Sequence, residues 1–276
     1  MRTRKRKKWK GTMVWLSVLV MVILAAVSMD ALGESENTPV KISGGREGKE
    51  WEFLNPRNLQ LKSGHMTIGG EASADLKIEC DGASQLTIDN LKANGHQVVI
   101  LALQDCVIHV IGHNELDWVS GWGIMEIQGE SQNAALFLKE RVDGKDLRVH
   151  DLRLHAALVE AERDMDLTGT LKLVAEKPTR GSDAAADVRI KAGRNIDIKL
   201  APGGSVTVEA EDGLLPFLAE KKMTLGKDNT LLKPEKGTIK GQDTPYGPDC
   251  HFVLDQDGDW WVSHVVIKNL LEEQPV

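Results

Sequence analysis

Five aliphatic residues, Ile88, Ile108, Ile127, Leu147 and Leu167, follow one another at nearly equal steps of about 20 residues. Each lies in a short run where Leu, Ile or Val alternates with polar residues. "ADLKIEC" (74–80), "SQLTIDNL" (84–91), "CVIHVIG" (106–112), "GTLKLVA" (169–175) and "NIDIKLA" (195–201) share the pattern, which is that of a half-buried strand. Helical periodicity is almost absent. Even Arg153–Asp166, the stretch nearest to a helix, follows on an alternation of Leu152, Leu154 and Ala156. So regular a period built from strands alone predicts an all-β solenoid, in which each coil stacks on the last and buries a continuous apolar column. The register loosens after Leu167, with Ile190 next at a longer step and Val208 at a shorter one. The competing all-β architecture is an antiparallel β-sandwich with evenly spaced strands. One phase kept through five units favours the solenoid.

The flanks divide the chain into four parts. Residues 1–33 carry seven Lys/Arg, an apolar run from Met13 to Val27, and Ala26 and Ser28 at the −3 and −1 positions of a cut after Ser28. This order is that of a secretory signal or signal anchor. The run is short for a bilayer, which takes roughly 20 residues, so membrane contact is expected only through this segment if it stays uncleaved. Residues 34–64 read as a polar stalk (Glu34–Glu50) and an N-terminal cap that begins at Trp51. Residues 65–212 form the solenoid, and 213–276 form a small C-terminal β cap. A solenoid's open ends expose strand edges and core, so caps are physically required. "DQDGDWWVSHVVI" (255–267) looks at first like a calcium loop, but its glycine, Gly258, stands two places early for an EF-hand, and Val266 occupies the place of the final Glu. Asp257-Gly258 fits a tight hairpin between strands His251–Leu254 and Trp260–Ile267, with Trp260 or Trp261 covering the last coil.

Charge narrows the partners. The formal charge of the whole chain is −7. Once the basic leader and its single acid are set aside, residues 34–276 carry −13, a body that repels nucleic acid. The cysteines, Cys80, Cys106 and Cys250, show no C-x-x-C spacing. They read as three small buried residues, with one disulfide open to them in an oxidising compartment. No G-x-S-x-G, H-E-x-x-H, P-loop or G-x-G-x-x-G is present, so no catalytic residue is assigned and a non-enzymatic role is favoured.

Several segments carry a likeness to a known group. "GHNELDWVSGWGIMEIQGESQNAALFLKE", "GTLKLVAE", "GRNIDIKLAPGGSVTVEAEDG" and the closing "FVLDQDGDWWVSHVVI" resemble bacterial surface proteins with carbohydrate-binding β-helix domains. Two elements carry the likeness most clearly: a G-x-N-x-L turn at Gly112–Leu116, and a G-I-x-I-x-G strand, with one insertion, at Gly123–Gly129. The resemblance implies a right-handed parallel β-helix, like that of pectate lyases. It also implies an exported or surface-held protein that binds cell-wall or matrix polysaccharide, in some cases with calcium.

Two candidate sites follow. Trp118 and Trp122 flank a turn between coils and could offer an indole face to a sugar. Asp143, Asp146, Asp164 and Asp166 fall near one period apart and could converge on calcium, which takes six to eight oxygens. The alternative for the carboxylates is a charge ladder with Arg141, Arg148 and Arg163. The expected function is thus polysaccharide recognition on the outer faces of a solenoid. A calcium-dependent polysaccharide lyase and a purely structural surface module are the alternatives.

Overall fold

The computed structural model describes residues 39–82, 84–176, 188–210, 215–235, 237–240, 250–255 and 259–271, and every regular element among them is a β-strand. The leader, residues 1–33, lies outside the described residues, as does the Asp257-Gly258 turn.

The alternating runs pair as consecutive hairpins cannot. Cys106–Ile111, His113–Leu116 and Trp118–Gly121 follow one another around two corners, and Ile124–Gly129 then returns parallel to Cys106–Ile111. Ala135–Leu138 lies parallel to His113–Leu116, and Arg141–Gly144 lies parallel to Trp118–Gly121. The same three-strand circuit continues through Asp146–His150, Arg153–Ala156 and Leu158–Ala161, then through Met165–Gly169, Lys172–Ala175 and Val188–Ala192. Asn195–Leu200, Ser205–Glu209 and Leu215–Ala219 make a further one. Three rows of parallel strands result. The first and second rows share a 16-stranded sheet, joined where Ser84–Lys92 pairs with both, and the third row is a nine-stranded sheet. Antiparallel pairs, which a sandwich would need throughout, occur only at the ends.

The circuits are less regular than the spacing of Ile88, Ile108, Ile127, Leu147 and Leu167 suggests. The paired column is Leu86, Ile108, Ile127, Val149 and Leu167, whose steps are alternately longer and shorter. Ile88 lies beside Val110, and Leu147 beside Met125 and Met165. Strand side chains alternate with period two, so a slip of two residues keeps an inward residue inward and leaves the phase intact. Beyond Leu167 the column passes to Ile198 and then Leu225, and both steps are longer than any before them.

Inward positions from all three rows form one core. Ile108, Ile127 and Leu167 of the first row, Leu136 and Leu154 of the second, and Val119 and Val142 of the third are fully buried. In the third row the last inward position is small from Cys80 onward: Cys80, Ala102, Gly121, Gly144, Ala161, Ala192 and Ala219 run in register. A Cβ on Gly121 would sit 3.3 Å from the tip of Met125, so the large side chains that open the first-row strands fill the space this column leaves.

The G-x-N-x-L turn owes its residues to the corner between first and second rows. Gly112 has φ +62°, and a Cβ there would collide with the Asn90 side chain. Asn114, fully buried, accepts from Leu91 N–H at 2.8 Å in the preceding circuit and donates to Ile111 C=O at 2.9 Å. It thereby satisfies backbone groups that the ladder cannot reach where the chain bends.

Both ends depart from the sequence reading. Lys41–Ser43, placed in a polar stalk, is a strand antiparallel to Gly64–Glu71, with Val40 and Ile42 buried. Only two apolar residues in a Gly- and Glu-rich stretch mark it. Trp260–Ile267 is two strands, not one. Asp259–Trp261 pairs with His251–Asp255, while His264–Asn269 leaves to insert antiparallel between Ser205–Glu209 and Asn229–Lys233, burying Val265 and Ile267. The side chains of Trp260 and Trp261 lie outside the described residues.

Replacing Asn114 with Ala strands the buried Leu91 N–H, and we expect a loss of about 1–3 kcal/mol. Urea denaturation checks it, with Asn114→Asp expected to recover part of the loss because it keeps the acceptor.

Candidate functional site

The corner that leads from the third row into the first stays short in every circuit from Val98–Ala102 onward. Between strands it holds Leu103–Asp105, Trp122–Gly123, Lys145, Glu162–Asp164, Gly193–Arg194 and Glu220–Lys221 in successive circuits. Parallel pairing carries on through these turns. Lys145 N–H donates to Gly123 C=O at 3.1 Å, Arg163 N–H to Lys145 C=O at 2.8 Å, Arg194 N–H to Arg163 C=O at 2.8 Å, and Lys221 N–H to Arg194 C=O at 2.8 Å. Lys145, Arg163, Arg194 and Lys221 therefore stack as a file along the molecule, with about 4.8 Å per circuit.

At the head of this file is a cleft of about 480 Å³ lined by Gln104, Asp105, Trp122, Gly123, Ile124, Lys145 and Arg163. Its volume falls in the range of small-molecule sites. Trp122 is 70% exposed, the most exposed large hydrophobic residue among those described. An indole so placed gives up burial that a core position would provide. Asp105 accepts from Ile124 N–H at 2.8 Å, which fixes the turn beneath the indole. A Cβ on Gly123 would come within 2.6 Å of the Asp105 backbone nitrogen, so glycine is needed for the two turns to touch.

The cations differ in their partners. Arg163 grips Asp146 with two donors, Nε to Oδ1 at 2.9 Å and Nη2 to Oδ2. Arg194 lies 3.4 Å from Asp164. Among the described residues, Lys145 and Lys221 are in no ion pair. Glu162 and Glu220 precede cations on the same turns, both exposed. The corner is thus rich in donors and acceptors, with little net charge.

The two predicted tryptophans separate. Trp122 lines the cleft, while Trp118 lies half-buried on the outside of the third row, with Arg141 stacked 5.9 Å from its ring centre. The four aspartates also separate. Asp143 is on the third row, where it accepts from Ser120 Oγ at 2.6 Å and faces Arg141 Nε at 3.0 Å. Burial pushes its carboxyl up, and the Ser120 hydrogen bond offsets part of that. Asp146 and Asp164 belong to the corner. Asp166 is on the outside of the first row near Arg148, and burial, then the neighbouring Asp197, raise its carboxyl. Each has an arginine partner. No group of three or more His, Cys, Asp or Glu among the described residues could hold a metal ion. The donor set does not fit calcium, because only Asp146 and Asp164 meet at one corner, each engaged by an arginine, while Asp143 and Asp166 lie outward on the third and first rows.

Two features escaped the sequence reading. The file of cations is written as small–x–basic in "AERD" (161–164), "AGRN" (192–195) and "AEKK" (219–222), but the uneven circuit lengths hide it from a fixed period. Phe137 was also missed. It lies on the outside of the second row, stacked at 4.7 Å with His113 and edge-on at 5.8 Å to His155. In "ALFL" (135–138) it holds the polar phase between inward Leu136 and Leu138, a signal that was available.

Comparison with family models, curated proteins and solved structures finds no match for this chain.

The Arg163 hydrogen bonds hold the Asp146 carboxyl below the usual carboxylate range, against the opposing effect of burial. A depressed folded pKa means stability that is fully present above the unfolded value of about 3.9 and lost as pH falls through the folded value. Asp146→Asn is therefore expected to lower the urea midpoint at pH 7, with the difference from wild type closing below about pH 4.

Proposed function

We propose that the chain is an exported, non-catalytic polysaccharide-binding protein of the cell surface, built as a right-handed parallel β-helix. In this reading the strand rows are its coils, and residues 1–33 direct it across the membrane. The resemblance of its turn and strand motifs to carbohydrate-binding β-helix surface proteins supports this assignment. So does the strand order, in which each strand lies parallel to its equivalent one circuit away.

The observation that carries the binding role is Trp122. A sugar ring offers an apolar C–H face and a rim of hydroxyls. An exposed indole matches the first, and the second needs donors and acceptors at fixed places. Gln104, Asp105, Lys145 and Arg163 supply both kinds around the indole. A glycan seated on Trp122 would continue along the corner past Arg163, Arg194 and Lys221, meeting one polar side chain per circuit. The acidic body suits this role, since it keeps a surface protein soluble and unattached to nucleic acid.

A glycan array followed by calorimetry tests the reading. Trp122→Ala is expected to weaken binding to the glycan identified by tenfold or more, about 1.4 kcal/mol, with the thermal midpoint unchanged because the indole is exposed. Absence of binding to any wall, pectic or matrix glycan by the folded protein would rule the reading out.

A further inference from the structure

The buried cysteines have a consequence that does not depend on glycan binding. Cys80 closes the third-row strand Leu76–Cys80, in the column of small inward residues. Cys106 opens the first-row strand Cys106–Ile111, at the head of the inward column that continues through Met125, Leu147 and Met165. These two columns face each other across one corner. Met125, the next member after Cys106, lies against Gly121 and Gly144 of the small column. Cys80 lies in register with Ala102, the small residue that precedes Cys106 across this corner, so the two cysteines stand in facing columns one circuit apart. Both are buried, Cys80 at 0% and Cys106 at 3% exposure, and their thiols are in hydrogen-bond contact. Cys250 is elsewhere, its thiol donating to Lys221 C=O at 3.4 Å beneath the last third-row strand.

We propose that Cys80 and Cys106 are a disulfide site, a covalent staple between adjacent circuits that closes when the chain folds in an oxidising compartment. The contact with Cys80 lowers the Cys106 thiol, while that contact and burial raise Cys80. These shifts belong to the folded contact, so in an opened chain either cysteine can attack first, and the course that begins at Cys106 stands for both. With glutathione disulfide as oxidant, the Cys106 thiolate attacks one sulfur, forming a mixed disulfide and releasing one glutathione. Cys80 sulfur then displaces the second, so the Sγ–Sγ bond forms, the protein dithiol loses two electrons and two protons, and two molecules of reduced glutathione leave. The third cysteine stays a thiol throughout. Burial restricts the first attack to the unfolded or opened chain, so the reaction is expected to run quickly during refolding and slowly on the native protein.

The test refolds the full chain from denaturant with glutathione disulfide, then alkylates it under denaturing conditions and maps the peptides by mass spectrometry. The expected result is a Cys80–Cys106 cross-link with Cys250 alkylated, and a thermal midpoint several degrees above that of the reduced protein. Cys250→Ala should then show no alkylatable thiol after oxidation and two after reduction. Cys106→Ala, which places a methyl among small residues, should fold and show no cross-link to Cys80. Three alkylated thiols in the oxidised, folded protein would overturn the proposal, as would a cross-link that uses Cys250 or an oxidised form less stable than the reduced one.

Discussion

The structure depends on how backbone amides are satisfied where the chain turns. Along each row, strands in neighbouring circuits satisfy one another's N–H and C=O groups. At the corners the ladder is incomplete, although backbone pairing continues from Gly123 to Lys221, and buried amides left over there would be costly without partners. Asp and Asn side chains fill the gap, each reaching an N–H one circuit away. Asp75 accepts from Gln97, Asn114 from Leu91, Asp117 from Val98, Asp146 from Asp164, Asp151 from Thr170 and Asn229 from Leu200. Each bond closes a corner and ties two circuits together. The acidic character of the body therefore has a structural origin as well as a colloidal one.

This constraint explains why the aspartates do not gather around a metal. Asp105 and Asp146 hold amides of the next circuit, and Asp146 also anchors Arg163. A carboxylate used in this way has its lone pairs directed along the backbone, and drawing it to a cation would leave the corner open. Asp143 and Asp166 belong to different rows, since the first follows the third-row Val142 and the second the first-row Met165. Near-equal sequence spacing suggests that all four could converge, whereas the circuit keeps only Asp146 and Asp164 together and sets Asp143 and Asp166 on other faces.

Architecture was legible because period two and the lack of any helical stretch survive irregularity. Inward Leu86, Ile108, Ile127, Val149 and Leu167 keep their phase through slips of two residues, so the strands and their inward faces could be read while the exact partners could not. Lys41–Ser43 was lost because a three-residue strand is too short to show alternation. His264–Asn269 was merged with Asp259–Trp261 because both are rich in aromatic and β-branched residues and only Ser263 hints at the break. For the site, an exposed tryptophan at a turn was readable at Trp122. Its neighbours Gln104, Lys145 and Arg163 were not, because they come from three other circuits and meet only through the register.

The same register explains why a site would arise at this corner. Circuits differ widely in length: the step from Leu167 to Ile198 is far longer than the one from Val149 to Leu167. Yet every third-row strand from Val98–Ala102 onward reaches the next first-row strand through a short turn, from Lys145 alone up to Leu103–Asp105. The longest addition, residues 176–187, comes between a second-row strand and a third-row strand. Extra chain is thus admitted at one corner and excluded from another. The excluded corner keeps backbone pairing from Gly123 to Lys221, so the backbone positions of its side chains are spaced by the strand repeat itself. In a fold whose other corners absorb insertions, the corner lined by Trp122, Lys145 and Arg163 is the one where a fixed spacing of side chains can be kept.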